Sequence, residues 1–180
     1  MNKLISNTIF KSYLLVVTAL LLTACGGGGG GEVAKTTTTS TTTTAGTGTV
    51  TFSGLGTSVI PISFIPTSSA VAFVVGNESA LIWTNSSGSD SQIAADIANN
   101  GEATYIDVVI LLTDNIVTEI AVSYSVITAS SVTQYGWGID DTMATINSTY
   151  DGTTVTFAGE TLFEEFGAAG VLVINGSLGM

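Results

Sequence analysis

ATYIDVVILLTDNIVTEIAVSYSVI, residues 103–127, is the stretch of sequence that decides the fold. In its second half, Ile116 to Ile127, apolar side chains alternate with Glu119 and with small or polar residues, and a period of two is typical of a half-buried strand. The first half, Ala103 to Thr113, is almost continuously apolar, which favours a central strand. Asp114-Asn115 suits a tight turn, so the two halves are predicted to form an antiparallel hairpin.

Working outward from this hairpin, three further dipeptides mark turns: Gly76-Asn77, Asn100-Gly101 and Asp151-Gly152. Asp151-Gly152 is the strongest hairpin signal among them, because a type I′ turn needs a positive φ at both central residues. The strands predicted around these turns are 50–52, 59–65, 71–75, 80–84, 143–149, 153–158 and 171–178. Residues 91–99 fit a short helix as well as a strand.

About nine short strands with short links favour an all-β fold, an antiparallel β-sandwich with a small β-barrel as the alternative. Pro61 and Pro66 cannot donate ladder hydrogen bonds, so the segment between them is predicted to lie at a sheet edge. Trp83 lies in an apolar strand and is predicted to be a core residue.

The beginning of the chain is typical of an export signal. Lys3 and Lys11 precede or border an apolar run, residues 13–22, that has the length of a signal-peptide core and is shorter than the roughly 20 residues of a membrane span. Leu22-Thr23-Ala24-Cys25 follows and resembles the lipobox of bacterial lipoproteins. The resemblance implies cleavage before Cys25 and a lipidated Cys25 thiol. Because Gly26 rather than Asp follows, it also implies the outer membrane, with the protein facing the periplasm or the cell surface.

Three regions are predicted: a lipoprotein signal peptide at 1–24, a lipidated cysteine and Gly/Thr-rich flexible tether at 25–45, and a single all-β domain at 46–180. The tether has a glycine run and a threonine-rich run without apolar periodicity, so nothing offsets the entropy of ordering it. The roughly 135 residues that follow suit one domain.

The charge balance of the domain excludes several function classes. From residue 46 onward there is no Lys, Arg, His or Cys, although thirteen of the fourteen acidic residues lie there. Nucleic-acid binding needs cations against phosphates, and serine or cysteine hydrolases need a basic partner for the nucleophile. Zinc and copper sites use His or Cys. Oxygen-ligated Ca²⁺ remains compatible with the composition, and the domain is otherwise predicted to be non-enzymatic and without a cofactor.

The main candidate site lies in residues 134–141, QYGWGIDD. Trp137, between two glycines, is predicted to lie in a loop, where its face could stack on a sugar. Asp140 and Asp141 could bind Ca²⁺ or sugar hydroxyls. In the alternative interpretation, Trp137 folds back over one end of the core and the aspartates solvate a turn.

Two other acidic segments are weaker candidates. Residues 85–90, NSSGSD, are rich in oxygen and make Asp90 a weak metal candidate, although such residues are also ordinary loop residues. Glu164-Glu165 could serve a glycosidase that uses carboxylates alone, but that reaction needs a fixed separation of about 5 to 9 Å across a cleft. An exposed acidic loop is the favoured interpretation of this pair.

Parts of the domain also resemble known lipoproteins. Cys25 with its glycine run, and ANNGEATY at 98–105, resemble surface lipoproteins of the transferrin-binding and factor H-binding kind, which carry C-terminal β-barrels. DGTTVTFAGETL at 151–162 and INGSL at 174–178 are more similar to small uncharacterised β-rich lipoproteins of marine gammaproteobacteria. These resemblances imply an envelope β-domain and name no activity.

The sequence therefore predicts a lipid-anchored, non-enzymatic β-domain of the cell envelope, with a binding or structural role and a membrane contact through the lipid on Cys25. A glycan or another envelope component is the expected partner, and nucleic acid is not. A Ca²⁺-assisted carbohydrate-binding module using Trp137, Asp140 and Asp141 is the alternative, followed by a carboxylate-only glycosidase. Self-assembly through exposed edge strands is a further possibility.

Overall fold

A computed structural model describes residues 44–85, 90–167 and 170–180 of the chain. The predictions about the signal peptide, about Cys25 and about most of the tether lie outside these residues. From Thr44 onward the described residues belong to one folding unit. None of the helices in these three ranges is both long enough and apolar enough to cross a membrane.

The described residues contain ten strands, an α-helix and a short 3₁₀ helix. The strands are β1 (Thr47–Ser53), β2 (Ser63–Phe64), β3 (Ser68–Val75), β4 (Glu78–Thr84), β5 (Glu102–Thr113), β6 (Ile116–Thr128), β7 (Val132–Asp140), β8 (Thr149–Tyr150), β9 (Thr154–Phe166) and β10 (Leu172–Gly179). Helix α1 spans Asp90–Asn100, and the 3₁₀ helix spans Leu55–Ser58. The predicted all-β antiparallel fold is confirmed.

The strands form one continuous sheet in the order β2-β1-β10-β9-β7-β6-β5-β4-β3, with β8 paired to β9. Every neighbouring pair is antiparallel. Strand β9 joins the two halves, because its first residues pair with β10 and its last residues pair with β7. The sheet curls into a half-barrel, so one face becomes an interior and the other faces outward.

The β5–β6 hairpin that the sequence predicts forms the centre of this sheet. Asp114 and Asn115 connect the two strands with φ angles of 54° and 63°. Asn and Asp tolerate this left-handed region better than most residues, and a two-residue turn with two positive φ angles matches the twist of its strands. The hairpin is therefore set by turn chemistry and by strand pattern together.

The core fills the concave side of the sheet. Trp83 is fully buried, as predicted, and its Nε1 donates a hydrogen bond of 2.9 Å to the carbonyl oxygen of Gly179. This bond joins β4 to β10, which are separated by four strands in the sheet order, so the curl brings the two halves face to face. The large side chains that are almost completely buried include Trp83, Trp137, Phe64, Ile106, Ile110, Leu112, Ile120, Leu162, Leu172, Ile174 and Leu178. Burial of each such side chain contributes about 1.5–3 kcal/mol.

The segment at residues 91–99 is helical, so the helix alternative is correct. Ile93 and Ile97, four residues apart on one side of α1, are half-buried, whereas most other residues of the helix are exposed. Contacts of α1 with β5 place this side of the helix against the sheet.

Two predicted strands are much shorter than expected. Between Pro61 and Pro66 only the two residues of β2 pair with β1, because the prolines cannot donate ladder bonds. Of the predicted strand 143–149, only Thr149 lies in a strand, as the first residue of β8. The residues before β8 are held instead by Glu160, whose Oε1 accepts hydrogen bonds from the backbone N–H of Asn147 and the hydroxyl of Ser148.

The Asp151-Gly152 turn is present but is not of type I′. Among the residues of this turn only Gly152 has a positive φ, 100°. The Asp151 side chain closes a longer loop, since its Oδ1 accepts hydrogen bonds from the backbone N–H groups of Thr153 and Thr154 at 2.9 and 2.7 Å. An Asx turn of this kind is a common alternative for aspartate at a hairpin end.

Candidate functional site

Acidic side chains from three adjacent strands meet on the outer face of the sheet, and they form the candidate site, called the carboxylate cluster below. It consists of Glu119 on β6, Asp140 at the end of β7, Asp141 directly after it, and Glu165 on β9. Glu119 lies directly opposite Asp140 in the strand register. Ile120 is buried in the core, so its neighbour Glu119 faces outward, because successive strand residues alternate.

Glu165 reaches the same face through a glycine. Its Oε1 lies 3.4 Å from the position that a Cβ atom would take on Gly138. Gly138 is two residues before Asp140 on the same face of β7, so the carboxylate of Glu165 lies beside the Glu119–Asp140 pair. The missing side chain at Gly138 is what leaves room for it.

The electrostatics of the carboxylate cluster favour protonation of one member. Burial is the largest of the causes that raise the pKa of Glu119 to about 7, and the negative charges of Asp140, Glu165 and Asp141 contribute the rest in that order. Neither Lys, Arg nor His occurs in the sequence from residue 46 onward to offset this repulsion. The carboxylate cluster can therefore hold a proton close to neutral pH.

Asp140 also stabilises the turn at the end of β7. Its Oδ1 accepts hydrogen bonds from the backbone N–H groups of Thr142 and Met143, both at 2.9 Å, and from the Thr142 hydroxyl. Asp141 is exposed, and its N–H donates to the carbonyl of Thr118. These contacts match the interpretation in which the aspartates stabilise and solvate a turn.

No three acidic, His or Cys side chains within the described ranges are grouped so that they could hold a metal ion. Asp140, Asp141 and Glu165 lie close enough to Glu119 for their charges to raise its pKa. Of the candidate loop 85–90, residues 86–89 and the side chain of Asp90 lie outside the described part of the chain. Asn85 is described, and its Oδ1 accepts a hydrogen bond of 2.8 Å from the backbone N–H of Ile106.

The prediction that Trp137 lies in a loop is wrong. Trp137 lies in β7 opposite Val122 and has no exposed surface. Its Nε1 donates a 2.9 Å hydrogen bond to the carbonyl of Gly170. The indole therefore presents no face on which a sugar could stack, and the Ca²⁺-assisted carbohydrate-binding prediction loses its aromatic surface.

The glycines that flank Trp137 have a packing role in the strand. The ring of Phe166 lies so close to Gly136 that a Cβ there would be 2.3 Å from its nearest atom. Gly138 leaves space for Glu165 in the same way. These glycines admit side chains from β9 onto the face of β7, a use of glycine in strands that the sequence does not distinguish from a loop.

Glu164-Glu165 also lies in a strand, β9, and not in the predicted loop. Glu164 is exposed and pairs with Trp137 in the register, whereas the half-buried Glu165 joins the carboxylate cluster. The pair therefore does not act as a unit.

Sequence reasoning missed two residues here. From the sequence, Glu119 is only one of the outward-facing residues of an alternating strand. The register of β6 against β7 is the signal that could have placed it beside Asp140. Asp107 on β5 is the second. The pKa of Asp107 is raised to about 6, because the effect of burial exceeds the opposite effect of its hydrogen bonds with Thr84 and Ser123 on the two neighbouring strands.

Comparison of the chain with protein-family models, with curated proteins and with solved structures finds no match.

Proposed function

We propose that this chain is a lipid-anchored, non-enzymatic β-domain of the bacterial cell envelope, held in the outer membrane through Cys25, with a binding or structural role. The observation that carries the proposal is Leu22-Thr23-Ala24-Cys25 after an apolar run, which resembles a lipobox. Several acyl chains anchor a protein durably, whereas a single chain holds it only reversibly.

The composition and the outer surface of the domain support a non-enzymatic role. Without His, Lys, Arg or Cys from residue 46 onward, chemistry would depend on carboxylates and hydroxyls. Of the carboxylates, Glu160 is buried and holds the segment before β8, and Asp140 closes a turn. The carboxylate cluster lies on the outer face of the sheet, on the side opposite the core.

Membrane fractionation of a Gram-negative host that expresses the full chain tests the anchor. We expect the protein in the outer membrane, Cys25→Ser in the soluble fraction or as an unprocessed precursor, and Gly26→Asp shifted toward the inner membrane. Ser40→Ala, a change in the threonine-rich run, is the matched control and should fractionate like the parent. Equal distribution of the parent and Cys25→Ser would contradict lipid anchoring.

A hydrolysis assay tests the non-enzymatic half of the proposal. The full chain should release no reducing sugar from a panel of polysaccharides. Release that is lost in Glu119→Gln and kept in Glu164→Gln would establish a carboxylate-only glycosidase, because a protonated acid beside an ionised carboxylate is what that reaction uses.

A further inference from the structure

From residue 46 onward, two asparagines are followed directly by glycine, and the structure holds them very differently. They are Asn100, before Gly101, and Asn175, before Gly176. In an Asn-Gly pair the backbone nitrogen of the glycine can attack the side-chain carbonyl carbon of the asparagine, because glycine has no side chain to block the approach. In a folded protein the attack depends on whether the backbone can rotate to bring the two atoms together.

Asn175 is held in an extended strand that is paired on both sides. It lies in β10, opposite Thr51 of β1 and Ala158 of β9. The following Gly176 is equally confined, since a Cβ atom there would lie 2.3 Å from the carbonyl oxygen of Thr49. The attack needs a rotation of this backbone, and the rotation would break the pairing with two strands at once.

Asn100 is instead the last residue of α1 and lies at an exposed turn. Ile97 is the last half-buried residue of the helix, and residues 98–101 are exposed. The N–H of Gly101 donates a hydrogen bond of 2.9 Å to the carbonyl of Ile97. The φ angle of Gly101 is 83°, which is common where a helix ends. Nothing in the described part of the chain lies within 4 Å of the position that a Cβ atom would take on Gly101.

The turn at Asn100 therefore opens much more easily than the strand at Asn175. It needs the hydrogen bond from Gly101 to Ile97 to break, and the residues that move are exposed. Frayed ends of elements open at a low free-energy cost, whereas core strands open at a cost that approaches that of global unfolding. Once the Gly101 N–H is released, rotation of the backbone at Asn100 brings the glycine nitrogen to the side-chain carbonyl carbon.

We propose that Asn100 is a site of spontaneous deamidation in the folded protein and that Asn175 is protected from this reaction. The Gly101 nitrogen bonds to Cγ of Asn100, its proton leaves with Nδ2 as ammonia, and a succinimide ring results. Water then opens the ring. Hydrolysis at Cγ gives aspartate, whereas hydrolysis at the main-chain carbonyl gives isoaspartate, in which the backbone runs through the side-chain carbon.

The reaction alters the connection between α1 and β5. Only Gly101 separates Asn100 from Glu102, the first residue of β5. Either product adds a negative charge at the C-terminal end of the helix, where the macrodipole is already negative. The new carboxylate lies four residues after Asp96, and like charges at this spacing destabilise a helix. Deamidation therefore loosens the last turn of α1.

Peptide mapping of the full chain, carrying Cys25→Ser, kept in mild detergent and incubated in mildly alkaline buffer, tests the proposal. A protease that cleaves after glutamate gives the peptides 79–102 and 166–180. We expect fragment ions to assign aspartate and isoaspartate to residue 100. In the folded protein this residue should react more than about tenfold faster than residue 175. Asn100→Gln should not react, because its longer side chain does not form the same ring.

Incubation in urea is the matched control, because unfolding removes the strand pairing that protects Asn175. The two asparagines should then react at similar rates. Hydrogen exchange measures the effect on the helix. The amides of residues 97–101 should exchange faster in Asn100→Asp than in Asn100→Gln, which is of similar size and carries no charge.

Three results would count against the proposal. A folded protein in which residues 100 and 175 react at equal rates would overturn the protection of Asn175. A folded protein whose Asn100 stays intact for as long as the unfolded chain takes to react would overturn the site itself. Equal hydrogen exchange in Asn100→Asp and Asn100→Gln would overturn the loosening of α1.

Discussion

Glu119 is half-buried on the outer face of β6, opposite Asp140, and its ionisation affects the free energy of unfolding. Its pKa in the folded protein is about 7, against an ordinary value of 4.5, so the folded state binds this proton more tightly than the unfolded state. The resulting stabilisation is complete below about pH 4.5 and is lost as the pH rises through about 7. Solvent screening at a partly exposed group reduces it to about 2 kcal/mol.

Urea denaturation below about pH 4.5 and above about pH 7 measures this effect. Glu119→Gln should have a flatter stability profile than the parent and should be the more stable protein at the higher pH, because the substitution removes the repulsion. Glu164→Gln, which changes an exposed neighbour of Glu165, should keep the slope of the parent. A parent whose free energy of unfolding rises through this pH window would contradict the assignment.

The acidic residues of the carboxylate cluster could be predicted in part. Asp140, Asp141 and Glu165 are candidates from their local sequence, whereas Glu119 lies beside them only because β6 pairs with β7. Residue spacing within one strand contains no information about which residue lies opposite on the next strand. Burial of Trp137 could not be predicted either, because its neighbours in space include Val122, Glu164 and Gly170, which are distant in the sequence.

At the level of the elements, β7 shows how glycine allows two strands to share one face. Gly136 and Gly138 both face outward and are buried. The ring of Phe166 covers the first glycine closely, and the carboxylate of Glu165 lies more loosely against the second. Side chains from β9 thus cover β7 at the junction between the two halves of the sheet.

Substitution of each glycine by alanine should therefore give unequal effects. In Gly136→Ala the new Cβ would lie 2.3 Å from the Phe166 ring, so the ring must move. Overpacking of this kind costs about 1–3 kcal/mol. In Gly138→Ala the nearest atom is 3.4 Å away, and the loss should be much smaller. Thermal denaturation of the two variants and of Gly136→Ala with Phe166→Leu measures the difference. Equal losses in both glycine variants would contradict the packing described.

Elements with a strong local signal could be predicted from the sequence, whereas elements held by distant side chains could not. The β5–β6 hairpin combines alternation with a suitable Asp114-Asn115 turn, and the β3–β4 hairpin has Gly76-Asn77. Residues 143–148 have a strand-like composition, but Met143 is held by Asp140, and Asn147 and Ser148 are held by the buried Glu160 of β9. Extension of β9 through residues 163–166 depends on its pairing with β7.

At the level of the whole molecule, the Trp83–Gly179 hydrogen bond joins the two halves of the curled sheet. Trp83→Phe would leave the buried carbonyl of Gly179 without this donor and would leave a cavity. The free energy of unfolding should fall by about 2–4 kcal/mol. Trp137→Phe is the matched variant, and its loss should be smaller because its bond to Gly170 is only partly buried. Guanidinium denaturation measures both, and a negligible loss in Trp83→Phe would contradict this view of the core.

The whole chain combines an acidic β-domain with a lipobox-like segment near its start, and lipid anchoring at Cys25 is the central claim. Intact-mass spectrometry of the protein extracted from the membranes of a Gram-negative host tests this claim most directly. We predict a mass that lacks residues 1–24 and includes acyl chains, with fragment ions that assign the acyl chains to Cys25. A mass that retains residues 1–24, or an unmodified Cys25, would contradict it.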